Sequence, residues 1–359
     1  MNNRGPLTIA LVIATPGTGW GGMEKHTADL AEALAARGHA IHVLAHSAYS
    51  ERFSKPVLFH PLPFQLGRRN LWLRHRLQRT LRSIQPDIAH AQGNKAASLV
   101  SSIHHDAQVA VGTLHGTKSS HRAFEKLDGV IGVSREIINS TSHPNARLIF
   151  NGTLPPDNAN PDHRTTPEIP VPTERPLLLA AGRLEPVKQF DRLIRAWAQA
   201  DCDGMLVILG DGSERARLNA LVRELGAGER VLLPGHESRI LPWLKVATAC
   251  IISSSREGFP YIMVEALMAG CPVLSTPVSG VGDFLPQRCI AASDSLEDLT
   301  MLISTNLAEP GVLTEIQLKS FEQAREQLSL ETMVLKTETF YRDLLASLPP
   351  MPPPAQTGS

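Results

Sequence analysis

The sequence predicts an α/β protein made of two parallel-sheet domains, on three observations. Short apolar runs alternate with amphipathic segments along nearly the whole chain, which is how strands covered by helices on both faces read. Residues 153–176 break that alternation with seven prolines among polar residues and no usable periodicity. The length, 359 residues at 42% apolar composition, exceeds one ordinary domain and supplies core material for two.

Taken in order, the first domain spans residues 1–155. Its opening strand is the unbroken apolar run 7–14, followed by a glycine-rich loop from Gly17 to Gly22 and a helix over 23–37 that Gly38 closes. Residues 40–45 form the next strand, and the runs 87–91, 109–114 and 129–133 continue the series between helical segments. A linker over 156–176 separates this unit from a second domain, 177–329. There the pattern restarts, with strands at 177–181, 205–209, 231–233, 250–253 and 272–275. Helices at 190–199, 215–225, near 240, at 262–269 and from 296 alternate with them. An amphipathic run at 330–346 reads as a closing helix, and 347–359 as a disordered tail.

Charge narrows the function classes. Lysine plus arginine equals aspartate plus glutamate at 35 each, so no overall field favours nucleic acid, and aromatic stacking residues are scarce. The halves differ sharply: residues 1–155 carry 17 basic and 9 acidic side chains, residues 156–359 carry 18 and 26. Twelve of the fourteen histidines lie in the first half, so mild acid makes it more positive still. Between Glu51 and Asp87 there is no carboxylate, while eight arginines and lysines share that interval with Leu71, Trp72, Leu73 and Leu77. The expectation is a basic amphipathic face, with Arg68, Arg69, Trp72, Arg76 and Arg79 turned toward an anionic membrane or a phosphorylated glycolipid. A plain solvated helix is the alternative.

Cys202, Cys250, Cys271 and Cys289 have no paired spacing and read as small apolar residues of a reducing compartment. The longest apolar runs fall short of the roughly 20 residues a membrane helix needs. Arg4 before the run 7–14 raises a signal peptide, but a glycine loop and an amphipathic helix follow at once, so a cytoplasmic protein is expected, peripheral on the inner membrane face if the basic helix binds lipid.

Gly17, Gly19 and Gly22 have the GxGxxG spacing of dinucleotide folds, between a strand and a helix. Yet no carboxylate occurs between Glu32 and Glu51 to hold an adenosine ribose, which argues against a nicotinamide enzyme. The loop still offers backbone amides at a helix start, where the dipole favours phosphate; its plain reading is a tight turn. In the second half, Arg183 and Lys188 of GRLEPVK follow a strand, where two cations can converge on a phosphate pair. Glu257 and Glu265 belong to REGFPYIMVEALMAGCPVLSTPVSGVGD, with Pro260 pre-setting a helix start. One carboxylate precedes the helix and the other lies two turns along it. A sugar nucleotide fits this layout, with sugar hydroxyls on Glu257, phosphate at the helix amides and ribose on Glu265.

The chain resembles glycosyltransferase family 4, retaining enzymes of GT-B architecture: two Rossmann-like domains facing across a cleft, with a C-terminal helix crossing back to the first. The resemblance is carried by GGMEKHTADLAEALAARGH, GVSREI, IFNGT, AAGRLEPVK, LVILGDGSERARL, LLPGH and SSSREGFPYIMVEALMAGCPVLST. It implies that Arg183 and Lys188 bind the donor diphosphate, Glu257 the transferred sugar and Glu265 the ribose. His115, in TLHGTK, would line the sugar site opposite Glu257. Gly22 would approach the phosphates, Gly210 and His236 the base and nucleoside, and Phe259, Tyr261 and Ile262 the donor. Gly21, Glu24 and Lys25 would lie on the acceptor side. Two positions depart from the family pattern: Gln189 stands where a glycine commonly follows the lysine, and Ser279 replaces one glycine of the pair before Asp283.

The expected reaction is retaining transfer of a hexose or N-acetylhexosamine from a nucleotide diphosphate donor, UDP above all, to a saccharide or glycolipid such as lipopolysaccharide core. No second carboxylate beside Glu257 offers a covalent nucleophile, so front-face displacement is expected. Cationic side chains would neutralise the diphosphate, and no cofactor or metal is expected, since neither a DxD-type pair nor a His/Cys cluster is found. The alternatives are an epimerase or phosphorylase of the same architecture, or a non-catalytic nucleotide-sugar-binding subunit.

Overall fold

The structure, a computed structural model, describes residues 5–17, 19–103, 107–116, 121–155, 175–200, 202–237 and 239–348. The expected linker, apart from its last two residues, and the tail from Pro349 lie outside these residues. Among them the chain forms two wholly parallel sheets, and each is built outward from its first strand.

The first sheet comprises β1 (Thr8–Ile13), β2 (Ala40–Ala45), β3 (Leu58–Pro61), β4 (Ile88–Gln92), β5 (Val109–Leu114), β6 (Gly129–Gly132) and β7 (Ala146–Leu148), in the order β3-β2-β1-β4-β5-β6-β7. Strand β1 is central, with Ile9 opposite Ile41 on one side and Ile88 on the other. Ile9 to Ile13 are completely buried, which is why this strand reads as an unbroken apolar run rather than an alternation. Helices α1 (Gly22–Ala36), α2 (Leu71–Ile84), α3 (Gly93–Val100) and α4 (Arg135–Asn139) cover the sheet.

The second sheet has the order β10-β9-β8-β11-β12, from β8 (Leu177–Ala181), β9 (Met205–Leu209), β10 (Val231–Gly235), β11 (Ala249–Ile252) and β12 (Val273–Ser275). It is flanked by α5 (Phe190–Gln199), α6 (Arg215–Glu224), α7 (Leu241–Val246), α8 (Tyr261–Met268) and α9 (Leu296–Leu307), then α10 (Pro310–Ile316) and α11 (Leu318–Gln327). In both sheets the strand order reverses beside the first strand. That is where a doubly wound fold opens a crevice, outside the carboxyl ends of its strands.

Two edge strands escape the sequence pattern. β3 and β7 are short and paired on one side only, so their sequences LFHP and ARL carry no continuous apolar run. Beyond the helix expected from 296, residues 310–327 form two further helices.

The last helix, α12 (Leu330–Ala346), crosses from the second lobe to the first. Ser329 caps it, its hydroxyl accepting from the Thr332 amide at 3.1 Å. Its Met333, Val334, Phe340, Tyr341 and Leu344 share one buried cluster with Ile9, Leu30, Ile41 and Ile131 of the first lobe. The crossing is tied by backbone: Thr153 donates to Leu328 at 3.0 Å, and Leu330 donates to Thr153 at 2.9 Å. Gly152 permits this approach, because a Cβ there would lie 2.4 Å from the Ser329 carbonyl oxygen.

Candidate active site

Between the lobes lies a cleft of about 890 Å3, opening outside the carboxyl ends of both sheets. Strand ends place its wall: Ala14 and Thr15 follow β1, Gln92 and Gly93 mark the β4 to α3 junction, and His115 follows β5. From the other lobe come Gly182 and Arg183 after β8, Gly210 after β9 and His236 after β10. Gly21, Gly22, Lys25, Lys188, Glu257, Phe259, Tyr261, Ile262 and Glu265 complete the set of anticipated residues on this wall.

The side chains anticipated to hold phosphate and sugar are paired with each other. Lys188 Nζ lies 2.5 Å from Glu257 Oε1, which also accepts from Ser254 Oγ at 2.7 Å. Ser253 Oγ donates to the Lys188 carbonyl at 2.8 Å and fixes the backbone beneath. The pair is mostly shielded from water, so each charge is balanced by the other. Arg183 instead reaches across the cleft: its Nε would stand 3.7 Å from a Cβ at Gly21. Gly21 and Gly22 leave room for that guanidinium and for the Tyr261 ring, whose edge would be 3.2 Å from a Cβ at Gly22.

Glycine is also required where the strands end. Gly210 has φ +143, and a Cβ on it would fall 1.9 Å from the Gly182 carbonyl oxygen. Gln189, in the position where the family commonly has glycine, adopts φ +53 and donates through Nε2 to the Pro186 carbonyl at 2.9 Å. The left-handed conformation explains why glycine is usual there.

His115 is held neutral. Its Nε2 bonds Gln92 Oε1 at 2.7 Å, and its ring meets His26 edge-on at 4.9 Å. Burial, followed by His26 and His90, keeps its pKa well below the ordinary imidazole value. Burial likewise lowers His26 to about 4 and His90 to about 3. With Gln92 accepting, the His115 hydrogen sits on Nε2, leaving Nδ1 as an acceptor. His90 in turn bonds Tyr341 of α12 at 2.6 Å and Thr113 at 2.7 Å, so the crossing helix braces the site from behind.

Glu265 lies near Lys25 and Asp29 of the first lobe, and burial raises its pKa to about 6 despite Lys25, with Asp29 adding to the rise. Lys25 bonds Asp29 at 3.0 Å and sits 5.4 Å over the Tyr261 ring. The Tyr261 hydroxyl, in the cleft wall, is buried without a hydrogen-bond partner among the described residues.

Two anticipated placements are corrected. Glu24 does not face the cleft: it is buried, and its Oε2 accepts from the Gly21 amide at 3.0 Å, so it shapes the glycine loop. Arg68 lies before α2 and lines the cleft instead of joining a helical face. Trp72, Arg76 and Arg79 are exposed on α2 and Arg69 is exposed just before it, with Leu73, Leu77 and Leu81 buried beneath the helix.

The lobes are also latched. Ser134 and Ser279 hydroxyls lie 2.9 Å apart, the Arg135 amide donates to Asp283 at 3.0 Å, and Asn151 Nδ2 donates to the Phe259 carbonyl at 3.2 Å. Phe150 stacks on Phe259 with centroids 5.2 Å apart and meets Phe284 edge-on at 5.0 Å. The departure at Ser279 therefore supplies an interlobe contact that glycine would lack. Sequence reasoning missed Gln92, Lys95, Asn151 and Trp20 on the cleft wall. A polar residue ending the buried strand IAHAQ was the available signal for Gln92.

This fold and this cleft define a glycosyltransferase of GT-B architecture. Two family models match, "Glycosyltransferase Family 4" over residues 20–152 and "Glycosyl transferases group 1" over residues 163–288. The chain belongs to glycosyltransferase family 4. It is 24% identical over 358 residues to N-acetyl-alpha-D-glucosaminyl L-malate synthase of Bacillus anthracis, covering 88% of this chain and 92% of that protein. It is 28% identical over 185 residues to the lipopolysaccharide core biosynthesis glycosyltransferase LpsE of Rhizobium meliloti (strain 1021), covering 51% and 53%. Among solved structures, a glycosyltransferase from Rickettsia africae ESF-5 superposes with a TM-score of 0.80 at 18% identity, over 96% of this chain and 100% of that one. Anabaena Alr3699/HepE, solved in complex with UDP and glucose, superposes at 0.75 and 18%, over 95% and 100%. No helix of the described residues is long and apolar enough to cross a membrane.

Proposed function

We propose that the protein is a retaining hexosyl- or N-acetylhexosaminyltransferase using a UDP-linked donor and a saccharide or glycolipid acceptor, such as lipopolysaccharide core. The observation that carries the reading is the convergence of Arg183, Lys188, Glu257 and Glu265 on one interlobe cleft, with His115 and Gly22 facing them. Complexes of Alr3699/HepE with UDP and UDP-glucose, and LpsE's role in lipopolysaccharide core biosynthesis, support the donor and acceptor classes.

In this reading the donor enters between the lobes and replaces the Lys188–Glu257 pair. Lys188 and Arg183 take the diphosphate, Glu257 accepts from sugar hydroxyls and Glu265 from the ribose, while Gly210 and His236 border the base. The departing phosphate receives the acceptor proton as the new glycosidic bond forms on the face it leaves, and the two cations stabilise its growing charge without a metal. Neutral His115 contributes hydrogen bonds to the sugar rather than charge.

The test is a donor screen measuring release of free nucleotide diphosphate, with and without glycolipid acceptors. Retention is read from the product's anomeric configuration, and Lys188→Ala should lower donor affinity by about tenfold or more. Epimerised donor without nucleotide release, sugar phosphate formation, or binding without turnover would each point to one of the alternative activities. The exposed Trp72, Arg76 and Arg79 of α2, with Arg69 before it, are proposed to rest on anionic membrane. Flotation with phosphatidylglycerol vesicles, lost on their replacement, checks this, and wild-type protein that does not float refutes it.

A further inference from the structure

The donor chemistry leaves cationic groups on the first lobe's wall of the cleft unused. Arg68, between β3 and α2, and Lys95, in the first turn of α3, both line it. Lys95 Nζ donates to the Phe64 carbonyl at 2.5 Å, so its ammonium rests against the same segment that carries Arg68. Phe64 is fully buried, which anchors that contact. A carbonyl occupies one of the ammonium's three donors and cancels none of its charge. Neither Arg68 nor Lys95 forms an ion pair among the described residues. Lys95 is only partly exposed, and burial already works against its charged form. Arg68 is exposed and Lys95 partly so, and with no counter-charge among the described residues both stay available to an anion arriving in the cleft.

A donor diphosphate would have its own cations on the opposite lobe, Arg183 and Lys188. We infer that Arg68 and Lys95 form a subsite for an anionic group, phosphate or carboxylate, on the acceptor. This deepens the proposed function and rests on it, since it takes the second lobe to hold the donor. The subsite also gives a purpose to part of the first domain's excess of basic over acidic side chains.

The experiment titrates the full chain, saturated with UDP, with glucose 6-phosphate, glucuronate and glucose by calorimetry. At least one anionic sugar should bind about tenfold or more tightly than glucose, and the comparison between them separates phosphate from carboxylate. The double variant Arg68→Ala/Lys95→Gln should erase that preference while UDP affinity stays within about twofold. Glutamine keeps a donor for the Phe64 carbonyl, and the unchanged UDP affinity reports an intact fold. If UDP does not bind the wild type, the donor reading itself fails. If UDP binds but neither anion outbinds glucose, or the preference survives in the double variant, the subsite is overturned.

Discussion

Gly258 offers a sharp test of whether the lobes must meet as closely as they do here. A Cβ placed on it would lie 1.9 Å from the His115 carbonyl oxygen and 2.6 Å from its carbonyl carbon. Ordinary contact begins at 3.4 Å, so Gly258→Ala requires the two backbones to part by about 1.5 Å. Neither neighbour is a flexible side chain that can swing aside. The displacement falls between Glu257 and His115, which would flank the transferred sugar, and it strains the Asn151 to Phe259 hydrogen bond next to it. Misplacing reacting groups by about 1 Å costs on the order of 100-fold in rate, so kcat for transfer should fall by roughly that factor. The second-lobe residues proposed to hold the nucleotide are left in place, so UDP affinity should change by less than about threefold. Steady-state transfer with parallel UDP titration separates the two effects. Transfer at the wild-type rate would show that the close approach is not needed for catalysis, and a large loss of UDP binding would show that Gly258 serves the nucleotide half-site instead.

Other consequences can be checked directly. His26 and His90 stay neutral in the folded state, with pKa values lowered to about 4 and about 3, whereas the unfolded chain takes up protons near the ordinary value of 6.5. The unfolded state thus binds more protons below pH 6.5, and thermal stability should fall as pH drops from there toward 4; a flat melting temperature over that range contradicts the buried neutral arrangement. Glu265 has its pKa raised to about 6, so its charged form is present mainly above that pH. If it accepts from the ribose, UDP-sugar affinity should rise with pH through about 6, and Glu265→Gln should flatten the profile. Phe340 is buried against Gly129 and under the Arg147 guanidinium, so Phe340→Ala should cost about 3–5 kcal/mol in chemical denaturation. A loss below about 1 kcal/mol would mean that α12 contributes little to the first lobe.

The sequence by itself determined the two parallel sheets, their central strands and several of the residues that gather at the cleft. Strands buried on both faces are largely apolar, so β1, β8 and β9 announce themselves in one dimension, and β4 and β5 do so despite His90, Gln92 and Thr113. Arg183, Lys188 and Glu257 were legible because each lies in a short motif between a strand end and a helix start, and Glu265 because it follows Glu257 along the helix that motif begins. Contacts between distant segments carry no such local period. Only the tertiary structure decided that Lys188 rests on Glu257, that Gln92 orients His115, and that Ser279 meets Ser134. It also turned Glu24 inward to shape the glycine loop and brought Arg68 into the cleft. The physical reason is that one-dimensional pattern records which face of an element is buried, whereas the partner on that face is chosen by how the two lobes and the crossing helix pack together.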